Sequence, residues 1–264
     1  MELSTDLIAS LMAAAFVAGA IDAIAGGGGL ITIPALLAAG IPPVSAIATN
    51  KLQSTFGTAG AVLAYARRGH IDFRRFAWPP VGAFLGSAAG AFLLTRIDPA
   101  FLSAFLPLLL VAIAIYFLLA PRMNDEDRHS RASPAWLVAA AVAIGCYDGF
   151  FGPGTGSFFT TALVALFGLG LIRAVAHTKL LNLASNLAGL LVLVAGGYVW
   201  WMLGFLMALA SIIGGQVGAR VAMRFGAGIA RPLLVIMSLG LTAKLLLEPG
   251  NPLLRLVSVW FSQP

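Results

Sequence analysis

Long apolar runs, separated by short polar or glycine- and proline-containing stretches, fill most of the chain. About 20 apolar residues are enough for a helix to cross a bilayer. The runs predict ten helical segments: 7–25, 29–40, 43–66, 76–96 and 99–120 in the first half, and 134–151, 156–169, 172–195, 199–222 and 229–248 in the second. The pattern therefore predicts an all-α polytopic membrane protein.

The composition agrees with this prediction and excludes other classes. The 264 residues are 60% hydrophobic and only 10% charged, whereas soluble domains carry about 25% charged residues. The net charge of +6 does not indicate nucleic-acid binding, because the basic residues lie at the ends of apolar runs, where they set membrane orientation. A single cysteine and three scattered histidines predict no metal site and no cofactor.

The second half of the chain repeats the first. The segment GAIDAIAGGGGLITIPAL, starting at Gly19, resembles GCYDGFFGPGTGSFFTTAL, starting at Gly145. Further on, AIATNKLQSTFGT resembles AVAHTKLLNLASN, which places Lys51 on Lys179. We predict two related transmembrane repeats, residues 1–121 and 134–264, joined by a cytoplasmic linker at 122–133.

The distribution of arginine predicts that the two repeats are inverted relative to each other. Five segments per repeat is an odd number, so the second repeat starts on the opposite side of the membrane. Placing Arg67, Arg68 and the linker in the cytoplasm puts eleven arginines inside and leaves Arg96 and Arg255 outside. This arrangement follows the positive-inside rule and predicts an N-terminus outside the cell.

Two glycine-rich motifs interrupt otherwise helical runs, at Gly26–Gly29 and at the matched stretch Gly152–Gly156. Consecutive glycines end a helix, so we predict broken or re-entrant helices that line a cavity. Open backbone N–H groups at the start of the next helix favour an anion. The expected contributors are Gly28, Gly29, Gly154, Thr155 and Gly156. Glycines spaced by four instead predict close helix packing, as in Gly82, Gly86 and Gly90, and in Gly214 and Gly218.

Charged residues inside apolar segments are the second candidate feature. Lys51 and Lys179 lie at matched positions, and Asp22 and Asp148 precede the two breaks as natural partners. Two interpretations stay open. The lysines are structural, either in Asp–Lys ion pairs or snorkelling to a headgroup, or they face a central cavity and attract an anion. The polar residues beside the lysines are candidate ligands: Asn50, Ser54, Thr55, Asn182 and Asn186. His177 either relays a proton or satisfies a neighbour.

With these motifs in hand, the chain resembles the TauE/SafE family of sulfite and organosulfonate exporters over about residues 7–248. GAIDAIAGGGGLITIPAL and ATNKLQSTFGT carry the resemblance. The second copy departs from the motif, since Pro153 and Thr155 replace glycines and Thr161 stands where Pro34 would be. The resemblance implies transport of small sulfur-containing or carboxylate anions across the bacterial inner membrane, linked to an ion gradient.

We therefore predict a secondary transporter that works by alternating access, with Asp22 or Asp148 carrying a coupling proton. The expected partners are a small anion, the lipid bilayer and a coupling proton or cation; a homo-oligomer is compatible with the sequence. An anion channel is the nearest alternative. An intramembrane enzyme is less favoured, because the chain has neither an H-E-x-x-H motif nor a Gly-x-Ser-x-Gly elbow.

Overall fold

The computed structural model describes residues 4–98, part of the segment 101–115, and residues 133–225. Outside the segment 101–115, these residues form eight helices: α1 Thr5–Ala25, α2 Gly29–Ala38, α3 Pro43–Ala66, α4 Trp78–Leu94, α5 Pro134–Phe150, α6 Thr155–Ala165, α7 Leu171–Ala195 and α8 Trp201–Phe225. Residues of the predicted segment 99–120 that are described are helical. The linker 122–133, apart from its last residue, and the segment 229–248 lie outside the described residues.

The observed helix boundaries follow local chemistry and stay within a few residues of the predicted ones. α1 begins after Ser4, whose Oγ accepts a hydrogen bond from the Leu7 N–H at 3.3 Å. α6 ends at Ala165, four residues earlier than predicted, and Gly168 takes a left-handed φ of 67° in the following turn. α3 begins at Pro43, where the missing N–H of proline does no harm in the first helical turn.

The chain is a membrane-embedded helical protein. α1, α7 and α8 are long and apolar enough to cross a bilayer, whereas α2, α4, α5 and α6 are shorter apolar helices. Large apolar side chains such as Leu85, Leu209 and Met202 are exposed on the outer faces of the bundle. A bilayer provides the apolar surroundings that these side chains require.

Two pairs of parallel helices pack with almost no space between their backbones. α4 packs against α5, and α1 packs against α8. At four positions a glycine of one helix faces a backbone carbonyl of the other, and a Cβ on that glycine would lie only 1.9–2.1 Å from the carbonyl oxygen. The glycines and the residues that supply the carbonyl oxygens are Gly86 and Val142, Gly90 and Cys146, Gly214 and Phe16, and Gly218 and Ala20. The last two contacts match the first two at the spacing of the sequence repeat. The predicted role of these glycines in close packing is confirmed.

Each short helix runs back along the helix that precedes it. In the first half, Leu30 and Ile31 at the start of α2 share a cluster with Ala18 and Ile21. Leu36, one and a half turns later, shares a cluster with earlier residues of α1, Leu11 and Ala15. In the second half, Phe158 contacts Tyr147, and Leu163 shares a cluster with Leu137. Each glycine motif is therefore the turn of a helical hairpin.

The two hairpin turns contact each other in the interior of the bundle. Gly26 takes a left-handed φ of 76°, and a Cβ there would lie 2.5 Å from the Cα of Gly156. The Ser157 hydroxyl donates a hydrogen bond to the Gly26 carbonyl oxygen at 2.9 Å. Glycine is required at Gly26 for both reasons, since any side chain would face an unfavourable φ and a backbone clash. The two predicted breaks are thus brought to one place.

Candidate functional site

Two buried ion pairs flank the point where the hairpin turns meet. Lys51 Nζ of α3 lies 2.7 Å from Asp148 Oδ2 of α5, and Lys179 Nζ of α7 lies 2.9 Å from Asp22 Oδ2 of α1. Both lysines are fully buried. Each lysine pairs with the aspartate of the other half, so the two pairs cross between the halves. The sequence named these four residues but did not assign the pairs.

The two ion pairs have different surroundings. Lys51 also donates to Asn186 Oδ1 at 3.1 Å, and the Asp148 side chain is 5% exposed. The Asp22 side chain is 23% exposed, and its Oδ1 accepts the backbone N–H of Gly28 at 3.3 Å. The Asp22 pair is therefore the more accessible of the two.

A small pocket, partly open to its surroundings, lies between the two hairpin turns. Its lining includes most of the predicted site residues: Asp22, Gly28, Gly29, Asn50, Ser54, Asp148, Gly154, Thr155, Gly156, Asn182 and Asn186. Gly27 and Gly152 also line it. Three predicted residues do not: the two lysines lie behind their aspartates, and the Thr55 hydroxyl donates to the Lys51 carbonyl oxygen at 2.7 Å.

The pocket offers hydrogen-bond donors from both hairpins. In residues 4–98 and 133–225, the backbone N–H groups of Gly27, Gly154 and Gly156 donate to no described acceptor. The Asn186 oxygen accepts from the Lys51 ammonium, which has only donors, so the amide NH₂ group of Asn186 is left for another partner. Uncharged N–H donors at two helix N-termini suit an oxyanion. The Gly28 N–H, in contrast, is already taken by Asp22.

Two buried threonines that sequence reasoning missed hold the short helices in place. The Thr32 hydroxyl lies within hydrogen-bond distance of the Gly28 carbonyl oxygen and of Asn50 Oδ1. The Thr160 hydroxyl donates to the Gly156 carbonyl oxygen at 2.8 Å and contacts the Thr178 hydroxyl at 3.0 Å. The two threonines are 128 residues apart, the same spacing as the lysines. That spacing was the signal that could have found them.

His177 connects α7 to the loop between α3 and α4. Its Nε2 accepts the backbone N–H of Asp72 at 3.0 Å, and its Nδ1 donates to the Arg173 carbonyl oxygen at 2.7 Å. Both ring nitrogens are used within the protein, which favours a structural role over a proton relay. In the same loop, the backbone N–H groups of Arg75 and Arg74 donate to the Asp72 carboxylate and lower its pKa.

A bundle of apolar helices that encloses crossed ion pairs and open backbone donors defines a membrane protein with a buried polar site. Charged residues at such depth in a membrane protein usually mark a substrate or ion pathway. Among the described residues, no group of three or more histidine, cysteine, aspartate or glutamate side chains is arranged to hold a metal ion.

The sequence profile of the sulfite exporter TauE/SafE family matches residues 11–245. The chain belongs to this family and is a membrane transporter of the TauE/SafE type. It is 49% identical to the probable membrane transporter protein ORF9 of Sinorhizobium sp, over 96% of this chain and 97% of that protein.

Other relatives carry similar names. A probable membrane transporter protein of Haemophilus influenzae is 45% identical, over 95% of this chain and 98% of its own length. The probable membrane transporter protein YfcA of Escherichia coli K12 is 43% identical, over 92% of this chain and 90% of its own length. These names point away from an enzyme. No solved structure matches the chain.

Proposed function

We propose that this protein is a secondary transporter that moves a small anion across the bacterial inner membrane by alternating access. The anion would be sulfite, an organosulfonate or a related sulfur-containing or carboxylate anion. The observation that carries the proposal is the pocket between the two hairpin turns, where backbone N–H groups of Gly27, Gly154 and Gly156 meet the amides of Asn182 and Asn186.

The two halves of the chain are proposed to be inverted repeats, with α2 and α6 as re-entrant helices. Three observations support this: the crossed ion pairs, the matched glycine contacts of α1–α8 and α4–α5, and the matched threonine bonds. Inverted repeats around one central site are the usual basis of alternating access, because the two halves can exchange conformations. We place the N-terminus outside the cell from the distribution of arginine.

The positive charges of Lys51 and Lys179 offset the carboxylates of Asp148 and Asp22 at the pocket, and the other pocket residues supply the direct contacts. An anion in the pocket accepts hydrogen bonds from the open N–H groups, and the positive ends of α2 and α6 add to the attraction. Asn182 is an informative contact, because its side chain lines the pocket and its NH₂ group donates to no described residue. The NH₂ group is the part of the amide from which an anion accepts a hydrogen bond.

The test is uptake by proteoliposomes of the purified protein, with labelled sulfite and labelled sulfoacetate, with and without an imposed pH gradient. Saturable uptake that runs against the anion gradient is the expected result. Asn182→Ala is expected to raise KM about ten- to a hundredfold, because a hydrogen bond to a charged group contributes about 1.5–3 kcal/mol.

Ser185→Ala is the matched control, because Ser185 lies on the same helix, is buried, and bonds to the Asn182 backbone carbonyl outside the pocket lining. It is expected to leave KM unchanged. Uptake that does not saturate and never runs uphill would indicate a channel. An equal effect of both variants would contradict the assigned pocket.

A further inference from the structure

The carboxylate of Asp22 occupies donors that a transported anion would use. Its Oδ2 accepts from Lys179 Nζ at 2.9 Å, and its Oδ1 accepts the backbone N–H of Gly28 at 3.3 Å. An ammonium group and an N–H at the start of a helix are typical oxyanion ligands. The side chain also lines the pocket. Asp22 therefore sits where a carboxylate-like group of a bound anion is expected.

The matched aspartate in the second half makes no such bridge. Asp148 contacts Lys51, which keeps a second acceptor in Asn186 Oδ1. Gly154 is the N-cap residue of α6, as Gly28 is of α2, and its backbone N–H has no described acceptor in residues 4–98 and 133–225. The two halves are thus unequal: the second offers its N–H to a ligand, whereas in the first an internal carboxylate has taken it.

We propose that Asp22 is an internal competitor of the transported anion, and that one proton is taken up on Asp22 for each anion bound. Ionised Asp22 holds Lys179 and the Gly28 N–H and repels an anion in the same pocket. When a carboxylate oxygen of Asp22 gains a proton from water, the charge disappears and both donors become available. This inference rests on the proposed function and names the carrier of its coupling proton.

Few charged or titratable groups face Asp22 from the neighbouring helices. Lys179 faces it from α7, and Tyr65 of α3 lies nearby with its hydroxyl donating to the Ala23 carbonyl oxygen at 2.9 Å. Asp148 of α5 shares the pocket but is paired with Lys51. From α2, α6 and α8, the described residues in contact with this end of α1 are uncharged: glycines, Ser157, and apolar side chains such as Leu30 and Ala219. Lys179 bonds to no other described residue, so it becomes available to an anion when Asp22 is protonated.

The experiment is calorimetric titration of the purified protein in detergent with sulfoacetate, sulfate and acetate in parallel, at a series of pH values around neutrality. Repeating each titration in two buffers with different ionisation enthalpies measures the protons taken up. About one proton per anion is expected, with affinity about tenfold stronger for each unit fall in pH. Asp22→Asn is expected to bind with a pH-independent affinity and no proton uptake, whereas the surface variant Asp72→Asn retains both.

The outcomes separate this inference from the proposed function. Anion binding without proton uptake in the wild-type protein overturns the role of Asp22 and leaves the anion site standing. Proton uptake that persists in Asp22→Asn but disappears in Asp148→Asn has the same meaning. Failure of all three anions to bind at any pH overturns the proposed site and the inference with it. If Asp22→Asn does not fold, infrared difference spectra of the wild type decide: anion binding must produce the band of a protonated carboxyl group, and its absence refutes the proposal.

Discussion

The buried pair of Lys51 and Asp148 joins α3 to α5, and a stability measurement can test how it works. The two charged atoms are 2.7 Å apart, and the side chains are 1% and 5% exposed. Removing one partner leaves an uncompensated charge in an apolar interior, which costs about 3–5 kcal/mol. We therefore expect Lys51→Met and Asp148→Asn each to lower the free energy of unfolding by about 3–5 kcal/mol.

The double variant is expected to recover much of this loss, because no buried charge is left unpaired. Its coupling energy should be about 2–3 kcal/mol, the upper part of the range for residues in contact. The assay is unfolding of the purified protein in mixed micelles with a denaturing detergent, followed by tryptophan fluorescence. The control cycle combines Lys51→Met with Asp22→Asn, the aspartate that pairs with Lys179, and its coupling should be clearly smaller.

Two results would refute this reasoning. Single variants that unfold like the wild type would mean that the buried charges are not compensated by each other. Equal or stronger coupling of Lys51 to Asp22 would mean that the pairs do not cross between the halves.

Three further predictions concern helix packing and the loop beside α7. Gly90→Ala is expected to lower the free energy of unfolding by about 1–3 kcal/mol or more, because its Cβ would lie 1.9 Å from the Cys146 carbonyl oxygen. Gly60→Ala, whose Cβ would have its nearest contact at 3.4 Å, should be tolerated. Thermal unfolding in detergent compares the two variants. His177→Ala leaves the part-buried Asp72 N–H without its acceptor, and a loss of about 1–3 kcal/mol in the same assay is expected. Backbone N–H donors lower the pKa of the Asp72 carboxyl, so the ionised carboxylate holds the turn at Arg74 and Arg75 at neutral pH. This stabilisation of the loop is lost as the pH falls through the lowered pKa. Amide protection factors of the loop measure this, and Asp72→Asn should remove the pH dependence.

The helices of this protein were predictable because their signal is local. Runs of apolar residues long enough for a bilayer, ended by proline, glycine or arginine, are visible without knowing any neighbour. α3 has the predicted boundaries, and α5 and α7 differ from them by one residue. The repeat was visible for the same reason, since Asp22 and Lys51 recur at matched positions as Asp148 and Lys179.

The candidate site was predictable only as a set of residues. Glycine breaks and charged residues in apolar segments are energetically unfavourable in a membrane, so each of them indicates a functional site without knowledge of its neighbours. Most of these residues line one pocket. Thr32 and Thr160 could not be predicted in this way, because burying a threonine in a helix carries only a small energetic penalty. Its hydroxyl can donate to a carbonyl oxygen one turn earlier.

What the sequence by itself determined is the membrane class and the helical segments in the described part of the chain, both of which depend on residues close together in the chain. Only the tertiary structure decided which lysine meets which aspartate, that the Gly26 and Gly156 turns touch, and that Asp22 already occupies the Gly28 N–H. These contacts join residues 97 or more positions apart in the chain, or depend on the φ angles of a glycine turn. Residue spacing along the chain does not predict these contacts or these backbone angles, because both are set by how α1, α3, α5 and α7 pack around one another.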